Sequence, residues 1–142
     1  MTRKEKRLLL IDLCGRLPYR VNILTKDNDK GYIIGVDDTE NGMFEIHIIE
    51  DGDSYTCDKS IENFKPYLRS LGSMTKEEQK EYEYFIFTEY HEWDGHSTHT
   101  EYVETDAVER YVTWLNRKGF DYRGLIPMGL ALEAPKDMYK TE

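Results

Sequence analysis

The chain has 142 residues, of which 39% are hydrophobic and 33% are charged, and its formal net charge is −9. A chain of this length corresponds to one domain and can bury a substantial core. Its excess of carboxylates argues against direct binding to nucleic acid or to an anionic membrane, because phosphate binding requires clustered Lys and Arg. No stretch approaches the ~20 apolar residues that a membrane span requires.

The charge is unevenly distributed along the chain. Residues 1–20 carry six bases and two acids, a net of +4, whereas residues 72–109 carry two bases and eleven acids, a net of −9. The first bases precede an apolar stretch at 8–11 that Asp12 interrupts, which is too short for a signal peptide. Cys14 and Cys57 lack the spacing of a disulfide scaffold or a paired-cysteine metal site. We therefore expect a soluble, cytoplasmic protein with free thiols and no cofactor.

The first half of the sequence predicts one helix followed by a series of short strands. Thr2 is a suitable N-cap and Gly15 a suitable C-terminal stop for the helix. Alternating apolar and polar residues then predict four strands, at 20–25, 31–36, 43–49 and 54–57.

Two dipeptides in this region are strong hairpin signals. They are Asn41-Gly42 and Asp51-Gly52, and they bracket the third strand, in which Phe44, Ile46 and Ile48 share one face. Four short antiparallel strands on tight turns predict a meander that curls into a small SH3-like barrel. Residues 61–64 predict a single helical turn that plugs it.

The second half of the sequence predicts helices. Thr75 and Glu78 have the spacing of a capping box at the start of a helix that runs to about residue 89. After a loop, Thr105 begins a further helix that ends at Gly119. Its predicted apolar stripe has helical spacing and consists of Val108, Tyr111, Val112 and Leu115.

These elements together predict an α+β fold. It consists of an N-terminal helix, a four-stranded antiparallel SH3-like small barrel and C-terminal helices packed on the barrel. Residues 1–70 form the helix and the barrel in this prediction. Residues 71–142 form the helical part, which we expect to pack with the barrel as one unit.

Several short blocks of the sequence resemble those of a known group of proteins. The blocks are Leu-Pro-Tyr at 17–19, Lys-Pro-Tyr-Leu-Arg at 65–69, Ser-Met-Thr at 73–75, Trp-Leu-Asn at 114–116, Phe-Asp-Tyr-Arg-Gly-Leu-Ile at 120–126 and Gly-Leu-Ala-Leu-Glu-Ala-Pro at 129–135. In this order they resemble a family of small uncharacterised proteins of Bacteroides-type gut anaerobes and their phages and mobile elements. The resemblance implies a cytoplasmic protein of phage or mobile-element origin. It implies no activity, so no functional residue is carried over.

Three histidines lie within nine residues, at His91, His96 and His99. Imidazoles with nearby carboxylates can hold zinc or another divalent ion. Their spacings of five and three do not fit the helical HExxH motif, and Gly95 breaks any helix between them. We favour a polar exposed loop and keep a metal site as the alternative.

Acidic and aromatic residues alternate around the predicted helix after Thr75. Such a surface can imitate the charge of nucleic-acid phosphates and bind the basic cleft of a protein partner, with Tyr as anchors. A solvated helix face explains the same pattern. The candidate binding residues are Glu77, Glu81, Tyr82, Tyr84 and Tyr90.

The predicted barrel is a third candidate surface, through the aromatic residues Tyr19, Tyr32 and Tyr55. No Ser-His-Asp order and no phosphate-binding glycine loop occurs in the sequence, which makes an enzyme the less favoured class. We expect a non-catalytic interaction protein that binds a protein partner. The more specific form of this expectation is an acidic inhibitor of a host nucleic-acid enzyme. The alternative is a metal-dependent enzyme that uses the histidine loop.

We predict that no metal co-purifies with the protein and that a chelator leaves its melting temperature unchanged. Gly95 leaves the backbone between the histidines loose, and ordering a loop costs roughly 1–2 kcal/mol per residue. Elemental analysis and thermal unfolding with and without chelator test this. Stoichiometric zinc that disappears in a variant with His96→Ala and His99→Ala would contradict it and favour the enzyme.

Overall fold

A computed structural model of the protein describes residues 1–91 and 105–139, with the backbone alone for residues 84–91 and 105–107. The described residues form three α-helices, six β-strands and two short 3-10 helices. In chain order these are α1 (Arg3–Gly15), β1 (Asn22–Thr25), β2 (Lys30–Asp38), β3 (Met43–Glu50), β4 (Asp53–Ser60), a 3-10 helix (Ile61–Asn63), β5 (Phe64–Leu68), a 3-10 helix (Leu71–Ser73), α2 (Lys76–His91), α3 (Thr105–Lys118) and β6 (Leu132–Glu133). None of the described helices is both long and apolar enough to cross a bilayer.

The α+β class is confirmed, but the prediction of a four-stranded SH3-like barrel is wrong. The strands form one open six-stranded sheet in the order β4-β3-β2-β1-β5-β6. The four predicted strands are present, and β5 follows the predicted helical turn and pairs with β1. Strand β6 then pairs in parallel with β5, so the sheet gains two strands and has β4 and β6 at its edges.

Strand β5 escaped prediction because it contains Pro66. A Pro removes a backbone donor and argues against a central strand. Strand β6, however, begins its pairing with β5 at Tyr67, so Pro66 has a strand partner on one side only, at Ile23. The position tolerates a Pro for that reason.

Local sequence signals are confirmed where the chain turns or caps a helix. Thr2 and Glu5 form a capping box at the start of α1. Gly42 and Gly52, from the two hairpin dipeptides, have φ of 67° and 81°, in the left-handed region that favours glycine.

The main core lies between α1 and one face of the sheet. The predicted apolar face of β3 is confirmed, since Phe44, Ile46 and Ile48 are fully buried. Leu9 and Leu13 of α1 pack against them in the same cluster. Side chains at alternate positions of β3 thus pack against side chains about one helical turn apart on α1.

A second apolar cluster joins α2 to α3. It consists of Trp114, Leu115 and Phe120, with Tyr82 and Tyr111 at its margin. The prediction that Val108 belongs to the apolar stripe is wrong, because its side chain is 47% exposed. The buried face of α3 includes Trp114, which the predicted apolar stripe left out.

The segment after α3 returns to the sheet. The Asp121 carboxylate accepts hydrogen bonds from the backbone N–H groups of Leu125 and Ile126, both at 2.9 Å. Leu125 is fully buried and, with Leu130, belongs to the main core rather than to the helix cluster. Strand β6 follows, so contacts cross the predicted boundary between residues 70 and 71.

Candidate protein interface

Most of the predicted histidine loop lies outside the residues that the structure describes. His91 is the last residue of α2, with its side chain outside the described part, and His96 and His99 lie outside the described residues. No group of three or more His, Cys, Asp or Glu side chains that could hold a metal occurs among the described residues. The metal site therefore remains a prediction from sequence.

The predicted acidic binding surface on α2 is partly occupied by contacts within the protein. Glu77 is exposed, but the Glu81 carboxylate accepts a hydrogen bond from the Trp114 indole at 2.8 Å. The Tyr82 ring lies 5.5 Å from the Tyr111 ring and 6.5 Å from that of Trp114. Glu81 and Tyr82 thus stabilise the pairing of α2 with α3.

The remaining two predicted residues of that surface, Tyr84 and Tyr90, have side chains outside the described part of the structure. Their binding role stays a prediction. Helix α2 carries a further carboxylate, that of Glu78, which pairs with Arg69.

Glu78 forms a two-pronged ion pair with Arg69. The Arg69 guanidinium donates from Nη2 to Glu78 Oε1 at 2.6 Å and from Nη1 to Oε2 at 2.7 Å. Glu78 Oε1 also accepts from the Thr75 backbone N–H at 3.0 Å, which completes the predicted capping box. The hydrogen bonds from Arg69 lower the pKa of Glu78 from 4.5 to about 2. This carboxylate attaches the start of α2 to the end of β5.

A second ionic cluster is centred on the buried Asp12–Arg16 pair, and the side chain of its third member, Arg123, is 27% exposed. The side chains of Asp12 and Arg16 have no exposed surface, and Arg16 donates from Nε to Asp12 Oδ2 at 2.8 Å and from Nη2 to Oδ1 at 3.1 Å. Arg123 donates to Asp12 Oδ1 at 2.8 Å, and Arg16 Nη2 also donates to the Phe120 carbonyl at 2.7 Å. One carboxylate thus holds two guanidiniums and joins α1 to the segment after α3.

Aromatic and amide groups surround this cluster. The Tyr122 hydroxyl donates to Asn116 Oδ1 at 2.8 Å and accepts from Arg123 at 2.9 Å. Arg16 Nη1 is buried without a hydrogen-bond partner, and its guanidinium lies 5.2 Å from the centre of the Tyr122 ring. The electron-rich ring face offsets part of the cost of that unpaired donor. The cluster is therefore structural, and the i, i+4 spacing of Asp12 and Arg16 was its one sequence signal.

Strand β4 forms an open edge of the sheet. Its eight residues pair in continuous register with β3, from Glu50 opposite Asp53 to Met43 opposite Ser60. On its other side β4 has no strand neighbour among the described residues. The side chains at 53–56 and at Asp58 are exposed. An edge of this kind presents unpaired backbone N–H and C=O groups to solvent.

The β3–β4 hairpin combines this edge with exposed apolar side chains and negative charge. Ile49 is 53% exposed and Tyr55 is 44% exposed. Residues 43–60 carry five carboxylates against one lysine, a net of −4. Desolvation of its hydroxyl, followed by the effect of the Glu50 and Asp29 carboxylates, raises the pKa of Tyr55. The surface is therefore acidic, partly apolar and open.

The three aromatic residues proposed for the barrel have different environments. Tyr32 lies on the sheet face opposite α1, with the Arg20 guanidinium 4.0 Å from its ring centre and the His47 ring at 5.0 Å. Tyr19 is half-buried. Of the three, Tyr55 is the exposed one and belongs to the open edge.

Loss of the Glu78 charge should destabilise the protein in a pH-dependent way. The folded state lowers the pKa of Glu78, so its stabilisation is present above about pH 4.5 and is lost as the pH falls towards 2. We expect Glu78→Gln to lower the free energy of unfolding by roughly 2–3 kcal/mol at pH 7 and by less at pH 3. Urea unfolding at both pH values measures this.

The matched control is Glu77→Gln, which changes the exposed carboxylate next to Glu78. It should change the free energy of unfolding by less than about 0.5 kcal/mol at either pH. Equal losses for both variants, or a loss for Glu78→Gln that does not depend on pH, would contradict the role given to the Arg69 pair.

No protein-family model, curated protein or solved structure matches the chain. Among the described residues, the β3–β4 hairpin combines an open backbone edge, one exposed apolar side chain on each face of the sheet and a net negative charge. It is the candidate protein interface.

Proposed function

We propose that the protein is a non-catalytic interaction module that binds a protein partner in the cytoplasm through the β3–β4 hairpin. The observation that carries this proposal is the continuous open edge of β4, with Tyr55 exposed on one face of the sheet and Ile49 on the other. Each face of the hairpin thus presents one exposed apolar side chain, and Tyr is enriched at the centres of protein-binding surfaces. The edge supplies backbone hydrogen bonds in addition.

The charge of the hairpin indicates the chemistry of the partner. Five carboxylates on residues 43–60 attract a basic surface and speed its association. Carboxylates spaced along a strand can also take the place of phosphates in the cleft of a nucleic-acid enzyme. We therefore include inhibition of a host nucleic-acid enzyme in the proposal, as its most specific form.

We also propose a phage or mobile-element origin, from the sequence blocks that resemble that family. Several residues of these blocks hold the fold together: Arg69 pairs with Glu78, Asp121 orders the segment after α3, and Arg123 pairs with Asp12. These contacts explain why such blocks would persist in proteins of one fold.

The alternative, a metal-dependent enzyme using His91, His96 and His99, gains no observation from the described residues. The metal analysis proposed above separates the two functions. A binding module needs no metal, whereas the enzyme would lose its activity and part of its stability on chelation.

A photo-crosslinking amino acid at position 55 tests the proposed interface. Incorporated in place of Tyr55, it should give discrete adducts with one protein in a lysate of the native host. The same group at Thr113, which is exposed on α3, should give none of these adducts. The reactive group is small enough to leave β4 in place, and circular dichroism checks the fold of both variants.

Charge reversal provides the second arm of the experiment. Asp53→Lys with Asp58→Lys should weaken the adduct at position 55 at least tenfold, because it removes the complementary charge without touching the core. Adducts at position 113 that match those at position 55, or none at position 55, would overturn the proposal that the hairpin is the interface.

A further inference from the structure

We infer that the segment of the partner that contacts the hairpin is an extended basic strand, which adds to the sheet beside β4. This inference rests on the proposed function and names the mode of binding and the chemistry of the partner. It makes the sheet of the described residues seven-stranded in the complex, in the order partner-β4-β3-β2-β1-β5-β6.

The first support is the regularity of β4. All eight of its residues pair with β3 without a shift in register, whereas the β2–β3 ladder is irregular between Ile33 and Gly35 and between Val36 and Asp38. Proteins block an edge with bulges, Pro, very short length or charged side chains. Strand β4 has no bulge and no Pro, its charged residues are Asp53, Asp58 and Lys59, and it spans about 27 Å at 3.4 Å per residue. A peptide of similar length can pair along it.

The second support is the distribution of side chains about the edge. Alternate residues of a strand point to opposite faces, so Tyr55 flanks the edge on one face and Thr56 and Asp58 flank it on the other. A strand added next to β4 would place an apolar side chain beside Tyr55 and a cationic one beside Asp58. An alternating apolar and basic segment satisfies both neighbours at once.

The third support is the negative charge of the hairpin, which favours a basic partner over a second copy of the chain. Each hairpin has a net charge of −4 over residues 43–60, and the whole chain one of −9. Pairing two β4 edges would bring these like charges together, which opposes self-association. A basic strand would instead be attracted to the acidic hairpin. The same aspartates that discourage pairing with another copy therefore favour a Lys- or Arg-containing partner.

Synthetic peptides test the mode of binding directly on the purified full chain. The probe is a ten-residue peptide of alternating Lys and Val. One control alternates Glu and Val, and a second alternates Lys and Pro, which keeps the charge but cannot form a strand ladder. We expect the Lys–Val peptide to shift the amide resonances of β4 and to slow their hydrogen exchange. The Lys–Pro peptide should bind at least tenfold more weakly and the Glu–Val peptide should not bind.

The outcomes separate this inference from the proposed function. Equal binding of the Lys–Pro and Lys–Val peptides, or no protection of β4 amides, would overturn strand addition, while adducts at position 55 would still support a protein interface. Protection of β4 without peptide, together with a dimer in analytical ultracentrifugation, would identify a second copy as the occupant and overturn the basic partner. Loss of Lys–Val binding in the Asp53→Lys and Asp58→Lys variant would support the inference.

Discussion

The buried carboxylate of Asp12 is the interaction on which the arrangement of the chain depends. It accepts hydrogen bonds from Arg16 and Arg123 with no exposure of its own, and Arg16 continues to the Phe120 carbonyl. Charges removed from water are costly unless they are paired and hydrogen-bonded. The pairing therefore ties α1, which covers the sheet, to the segment that follows α3. Loss of Asp12 would leave the buried Arg16 guanidinium without a carboxylate, and loss of Arg16 would leave the buried Asp12 with Arg123 alone.

The two edge strands of the sheet differ in the contacts that they make. At one end the segment after α3 supplies β6, and the Tyr139 hydroxyl accepts from the Asn22 N–H at 2.9 Å and donates to the Tyr67 carbonyl at 2.6 Å. These contacts use backbone groups on that side of the sheet. At the other end β4 pairs with β3 alone within the described residues. Among the described residues β4 is thus the longer of the two edge strands, and our functional proposal follows from that asymmetry.

The sequence predicted what depends on neighbouring residues and missed what depends on distant ones. The capping box of α2, the Thr2 N-cap, the glycine turns and the alternation in β3 arise within a few residues, and all are confirmed. The parallel pairing of Tyr67 with Leu132 joins positions 65 residues apart, and no local pattern announces it. Without that strand a closed barrel was the simpler interpretation. The candidate interface was missed for a related reason, because the pattern of apolar residues does not reveal that β4, the strand beside β3, lies at the edge of the sheet.

The stability of an Asp12→Asn variant tests the account most directly, because Asn keeps the size of the side chain and removes its charge. Urea unfolding should show a loss of about 3–5 kcal/mol, since two guanidiniums would lose the carboxylate that compensates them. The matched control, Asp53→Asn on exposed β4, should lose less than about 0.5 kcal/mol. A small and equal effect of both substitutions would contradict the central role of the buried carboxylate.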